Sequence, residues 1–148
     1  MDDDAFRPGT HEVQLHDETT VLMAGGALKN KRGVAHLTND RLFFNDQRFN
    51  PSLAGGVGGV LARTMAEQLE KLRKEHPPMI DLPLTDITRV SHVTKLTVRD
   101  ILVVETAAGE SRFANGFKTM SPLLRRALTE RHGRRVVDEG ADAWRVDG

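Results

Sequence analysis

The sequence predicts a mostly β fold of the α+β class: a seven-stranded antiparallel curled sheet or barrel capped by a C-terminal helix. Three observations predict it. Short apolar runs separated by turn residues occur on both sides of the chain's middle. One stretch between them switches to a period of 3.6. A further helical pattern, opened by Ser121-Pro122 and stopped by Gly133, follows the last run.

Residues 1–17 are polar, charged and rich in turn formers, and read as a loose leader. Thr19–Leu28, Gly33–Thr38 and Arg41–Asn45 then form three short runs of a meander. The first separator is Lys29-Asn30-Lys31-Arg32 and the second is Asn39-Asp40. Asn and Asp tolerate the left-handed backbone of a two-residue hairpin turn, so Asn39-Asp40 is expected to make one. Leu42 and Phe44 should face one side of the third strand and Phe43 the other.

The period then changes. Val57, Leu61, Met65 and Leu69 recur every fourth residue, with Leu72 on the same side and charged residues opposite. Glu67–Lys71 and Glu70–Lys74 are favourable pairs on the polar side. An amphipathic helix is therefore expected over Gly56–Glu75, inside an insertion spanning residues 51–78 between strands three and four. His76-Pro77-Pro78 stops it, because proline disfavours helix in the residue before it.

Strand character returns at Met79–Leu84, with Ile80, Leu82 and Leu84 alternating inward, and continues through Ile87–Val93, Lys95–Arg99 and Ile101–Thr106. Ile101-Leu102-Val103-Val104 is apolar at every position, so that strand should be covered on both faces. Ala108-Gly109 reads as a hairpin turn and Ser111–Ala114 as the last strand. In the closing helix Ser121 would cap and Pro122 occupy the first turn. Leu124, Ala127 and Leu128 would be buried, Arg125 and Arg126 wet, and Gly133 the C-terminal stop. Residues 133–148 read as a charged tail holding Trp144, whose default position is docked on its own domain.

Several local words carry a resemblance. Gly33–Phe44 (GVAHLTNDRLFF), Leu82–Val90 (LPLTDITRV), Ile101–Phe113 (ILVVETAAGESRF) and Met120–Leu128 follow one another in an order similar to that of the GRAM family of pleckstrin-homology-like domains. The likeness spans residues 18–132 and includes small bacterial members with glycine-rich insertions. It implies a binding module for protein or lipid, since this fold serves many uses.

Composition narrows the classes further. Hydrophobic residues make up 39% of 148, which with 13 glycines suits a packed core. The 21 basic and 21 acidic residues balance, so no global field draws the chain to nucleic acid, and with no tyrosine a stacking platform is poorly supplied. Absence of cysteine excludes disulfides, thiolate catalysis and thiolate zinc sites, and suits a reducing compartment. The acidic start, Met1-Asp2-Asp3-Asp4, is unlike a secretory signal. Ser52–Ala62 is too short to span a membrane. A cytoplasmic chain, peripheral at most, is expected.

Two binding surfaces stand out. Lys29, Lys31 and Arg32 surround the first turn, where pleckstrin-homology-like relatives meet inositol phosphates, and these groups suit phosphate oxygens. Three such charges contribute only about 3 kcal/mol at an acidic surface, too little for stable attachment alone. The stripe Leu61, Met65, Leu69 and Leu72 is the other candidate, for a partner's groove or a membrane interface, although such a stripe ordinarily covers its own sheet. His11 and His16 lie beside Glu12, Asp17 and Glu18, but a five-residue spacing puts no histidine pair on one helical face, so no metal is expected. No nucleophile elbow is present, and Gly55–Gly59 lacks the ending of a phosphate loop, so neither catalysis nor a cofactor is expected. A protein-interaction or self-association adaptor is the first reading, and an anionic-lipid module the second.

Overall fold

Alternation along short strands decides which side chains meet in the interior. The computed structural model describes residues 3–23, 30–46, 80–94 and 100–147. The strands are β1 (Gln14–Leu22), β2 (Lys31–Thr38), β3 (Arg41–Asp46), β4 (Ile80–Pro83), β5 (Ile87–Val93), β6 (Ile101–Thr106), β7 (Gly109–Phe113), β8 (Arg135–Asp138) and β9 (Ala143–Asp147). Helix α1 (Phe117–Arg126) runs on into a wider turn over Ala127–Arg131.

The fold is thus mostly β, with an antiparallel sheet and a C-terminal helix. The expected strand count was too low. Among the described residues nine strands form one sheet in the order β4-β3-β2-β1-β7-β6-β5-β9-β8, and its end strands β4 and β8 do not pair, so it is not a closed barrel. The additional strands come from residues read as a tail. Val136, Trp144 and Val146 point inward and Gly140, at φ 103°, helps to turn the chain between them, which makes a hairpin that β5 accepts through β9.

Leu42 and Phe44 lie in the core while Phe43 is buried on the other face, as alternation requires. All four residues Ile101–Val104 are buried, so both faces of β6 are covered. Leu124, Ala127 and Leu128 pack onto the sheet's inner face together with Leu37, Leu102 and Phe113. The leucine and phenylalanine side chains among these stabilise by about 1.5–3 kcal/mol each on burial.

The leader is not loose. A short helical turn at Asp3–Phe6 places Phe6 in the core at 1% exposure, under the Arg126 guanidinium at 4.1 Å. β1 begins at Gln14, ahead of the expected start, with an irregularity between Gln14 and His16. The inserted helix, the run Lys95–Arg99 and Lys29 lie outside the described residues.

The Asn39-Asp40 connection is present, but among the described residues only glycines have positive φ. Another device closes it. Thr38 Oγ1 accepts from the Asp40 and Arg41 amides at 3.1 and 3.0 Å and donates to Glu12 at 2.7 Å. Asn39, fully buried, ties the leader down: its side chain donates to the carbonyls of Ala5 and His11 and accepts from the Val13 amide.

The two halves of the sheet meet between β1 and β7, where among the described residues the ladder has a single pair, Leu22↔Phe113. Two backbone hydrogen bonds flank it, Met23 to Arg112 and Ala114 to Val21. Among the described residues no helix is long and apolar enough to cross a membrane.

A buried histidine introduces a pH dependence. His36 is fully buried on the outer face of β2, stacked on Phe43 at 4.9 Å, with Nδ1 3.2 Å from Gln14 Oε1 and Nε2 without a hydrogen-bond partner among the described residues. Burial lowers its pKa from 6.5 to about 4, against a smaller upward pull from Asp17. The unfolded chain therefore takes up this proton first. The contribution is complete above pH 6.5 and is lost as pH falls from 6.5 to about 4. Its expected size is about 3 kcal/mol. Denaturant midpoints measured at several pH values should show His36→Leu losing less stability than the parent over that window. Parallel curves would sink the assignment.

Candidate functional site

Helix α1 starts earlier than the Ser121-Pro122 signal implied. Gly116 precedes it at φ 126°, a conformation strained for any residue with a Cβ, and an added Cβ would also press on the Met120 methyl. The cap comes from a distant loop: Asp100 accepts from the amides of Gly116 at 3.3 Å and Lys118 at 3.2 Å. A carboxylate at a helix N-terminus is favoured by the exposed amides there. On the β1 side, Glu18 accepts from Thr119, Asn115 and His16. Ser121 and Pro122 consequently fall inside the helix, on the side that faces the C-terminal hairpin.

The hairpin is fixed to this helix at three points. Trp144, 4% exposed, donates from Nε1 to Ser121 Oγ at 2.9 Å. Arg125 pairs with Asp138 and holds its carboxyl below the usual carboxylate range. His92 on β5 stacks on Phe117 at 4.7 Å, stands 3.7 Å from Asp100 and 3.6 Å from Asp142, and donates its amide to the Asp142 carbonyl at 2.7 Å.

Between these points lies an open groove of about 400 Å³. Phe117, Pro122, Ala143 and Trp144 supply apolar walls, and Lys118, Arg125 and Asp138 the charged ones, with Gly140 and Ala141 of the hairpin turn opposite the helix. Lys118 and Pro122 are exposed, whereas Ser121 is buried against Trp144. The arrangement can hold an apolar side chain beside two aromatic rings and meet charge at its mouth. Sequence reasoning placed Trp144 on its own domain, which is where it sits. It missed Phe117 and Lys118, because the helix start depends on Asp100, and it missed the groove, which requires the hairpin.

The other predicted surfaces are placed as follows. Lys31 and Arg32 are exposed at the start of β2, opposite Leu22 and Val21. Successive strand residues face opposite sides, so the two cations leave from different faces of the sheet. Lys29 lies outside the described residues, as do Leu61, Met65, Leu69 and Leu72. His16 pairs with Glu18 at 2.9 Å and Glu12 with Arg41 at 2.8 Å. Among the described residues no three histidine or acidic side chains converge as metal ligands would.

No family model and no curated protein matches this sequence. Among solved structures the chain is similar to the C-terminal domain of an unknown protein from Leishmania infantum, with a TM-score of 0.47 and 14% identity, covering 79% of this chain and 85% of that one.

Proposed function

We infer that this chain is a non-catalytic binding module of the GRAM or pleckstrin-homology-like kind, acting as a protein-interaction or self-association adaptor. One observation carries the reading: the groove between α1 and the β8–β9 hairpin, with aromatic walls and a charged mouth. Sites for protein segments are commonly of this kind, with a few aromatic anchors and a polar rim. The order β4-β3-β2-β1-β7-β6-β5 with a helix against the inner face supports the pleckstrin-homology-like assignment. The four local words named above support the narrower one.

The anionic-lipid alternative rests on Lys31 and Arg32, both exposed. Two charges contribute about 2 kcal/mol at an acidic surface, and here they diverge, which makes this the weaker reading.

Light scattering at high micromolar concentration, with a pull-down on the same preparation, tests the choice. A mass above the 16.4 kDa of one chain, or a retained protein partner, is expected. Pro122→Glu with Ala141→Glu should weaken that association about tenfold, a loss of about 1.4 kcal/mol, without lowering the thermal midpoint. A single-chain mass with no partner overturns the reading. Sedimentation with anionic liposomes that disappears in a Lys29, Lys31 and Arg32 triple-alanine variant would transfer it to the membrane.

A further inference from the structure

Among the described residues the sheet ends at β4 and β8, and its two ends differ. β4 carries Pro83, which has no amide hydrogen, and Asp81, which pairs with Arg41 at 3.6 Å. Proline and charge are common means by which an edge avoids recruiting another strand. β8, with the sequence Arg135-Val136-Val137-Asp138, has no proline and no register shift against β9.

Its free hydrogen-bonding groups follow from the ladder. β8 and β9 are in register from Arg135↔Asp147 to Asp138↔Trp144, and the Glu139 amide donates to the Ala143 carbonyl at 2.9 Å. In an antiparallel pair, residues that exchange hydrogen bonds alternate with residues that face away. Arg135, Val137 and Glu139 therefore bond toward β9. Val136 and Asp138 turn their backbone groups to the open side.

We propose that the β8 edge pairs antiparallel with β8 of a second copy of this chain, across a two-fold axis at Val137. This goes beyond the groove to a second surface and takes from the adaptor reading only that the chain associates. A two-fold axis perpendicular to the sheet sets residues of equal parity opposite one another. Centred on Val137, it sets Val136 against Asp138 of the second copy, twice, and their outward amides and carbonyls bond. On the outer face the same register sets Val137 against Val137, flanked on either side by Arg135 against Glu139 of the other copy. Arg135 and Glu139 are exposed and Val137 is half-buried, and Glu139, which accepts from Arg89 at 2.8 Å and lies 3.8 Å from Arg145, would share its carboxylate with the second copy's Arg135. An apolar centre between two opposite-charge pairs is self-complementary, which is what a two-fold interface requires and why a second copy is the occupant. A register centred on Val136 needs the Arg134 amide, which already donates to the Leu128 carbonyl at 2.8 Å.

The chain has no cysteine, so a single introduced thiol gives a clean test. Residues opposite each other in a non-hydrogen-bonded antiparallel pair have Cα atoms about 4.5 Å apart, within disulfide range. Full-length Val137→Cys under mild oxidation should form a covalent dimer at least about tenfold faster than Ala108→Cys, a thiol on the exposed β6–β7 turn, because pairing raises its effective concentration. Adding Arg135→Glu to Val137→Cys sets like charges across the axis and should slow cross-linking several-fold. Adding Glu139→Lys as well should restore it. Glu139→Lys also gives up the pairs to Arg89 and Arg145, so circular dichroism and the thermal midpoint are compared for each variant. Equal rates for the two thiols in a chain that light scattering shows to associate overturn the β8 pairing alone. A monomer at every concentration overturns it, and takes the adaptor reading with it only where the pull-down also retains no partner.

Discussion

Replacing Arg131 with alanine is expected to cost about 3 kcal/mol of folding stability, read as a fall in the urea midpoint. The side chain is 9% exposed and stands where three parts of the chain meet. Its Nε and Nη2 donate to the two Asp40 oxygens at 2.7 and 3.1 Å, in the β2–β3 connection. Nη1 donates to the Arg7 carbonyl at 2.8 Å and to Thr10 Oγ1, and Nη2 to the Thr10 carbonyl at 2.7 Å. Alanine would leave a half-buried carboxylate without its guanidinium and take away the arginine's bonds to the Arg7 and Thr10 carbonyls, of which Arg7 keeps the Thr10 hydroxyl as a donor. Breaking a buried pair from one side costs about 3–5 kcal/mol, and Asp40 is 29% exposed, which places the loss at the lower end. Arg131→Lys should recover less than half, because one ammonium cannot reproduce a planar fork aimed at a carboxylate and at carbonyls. A loss below 1 kcal/mol would mean that the leader is held by Asn39 and Phe6 without help from this arginine.

Trp144→Ala is expected to cost about 3–5 kcal/mol, the range for removing a large buried aromatic. The indole lies opposite Val90 across the β5–β9 ladder, and its ring joins the core that the sheet and α1 share. Losing it leaves a cavity and leaves Ser121 without its partner. Trp144→Phe keeps much of the apolar contact, so it should cost markedly less, with about 1 kcal/mol of its loss from the hydrogen bond. Chemical denaturation followed by circular dichroism measures both. It is the chain's single tryptophan, so the parent's emission should be blue-shifted when folded and move to the red as the hairpin leaves the core. Emission already red in the folded parent would place the indole in water.

The strands that read correctly were those whose side chains answer to one face at a time. Leu42, Phe43 and Phe44 could be sorted by alternation alone, and Ile101–Val104 by its lack of any polar position. Leu124, Ala127 and Leu128 needed only the helical period. The errors arose where a residue's role depends on a distant one. Nothing near Gly116 announces that Asp100 will cap α1, so the local Ser121-Pro122 signal misplaced the helix start. Asn39 and Asp40 marked the turn correctly, yet their side chains act on the leader and on Arg131 instead of bending their own backbone. The start of β1, Gln14–Glu18, has Leu15 as its single apolar position, too little to mark an alternation. The C-terminal hairpin did leave a trace in Val136, Trp144 and Val146, but short strands carrying this much charge resemble a solvated tail. The groove combines both difficulties, since one wall needs the helix start and the other the hairpin.

The one-pair ladder between β1 and β7 determines how a disturbance travels through the molecule. A tug on the C-terminal hairpin passes easily along β9, β5, β6 and β7, where continuous backbone bonding makes a stiff plate. At Phe113, among the described residues, the backbone link narrows to one pair and its two flanking hydrogen bonds, and side chains add to it: the Phe44 and Phe113 rings 6.0 Å apart, the Glu18 contacts to Asn115 and Thr119, and the Arg131 fork. Among the described residues the two halves therefore share a narrow hinge line, braced from the α1 side by Thr119 on Glu18.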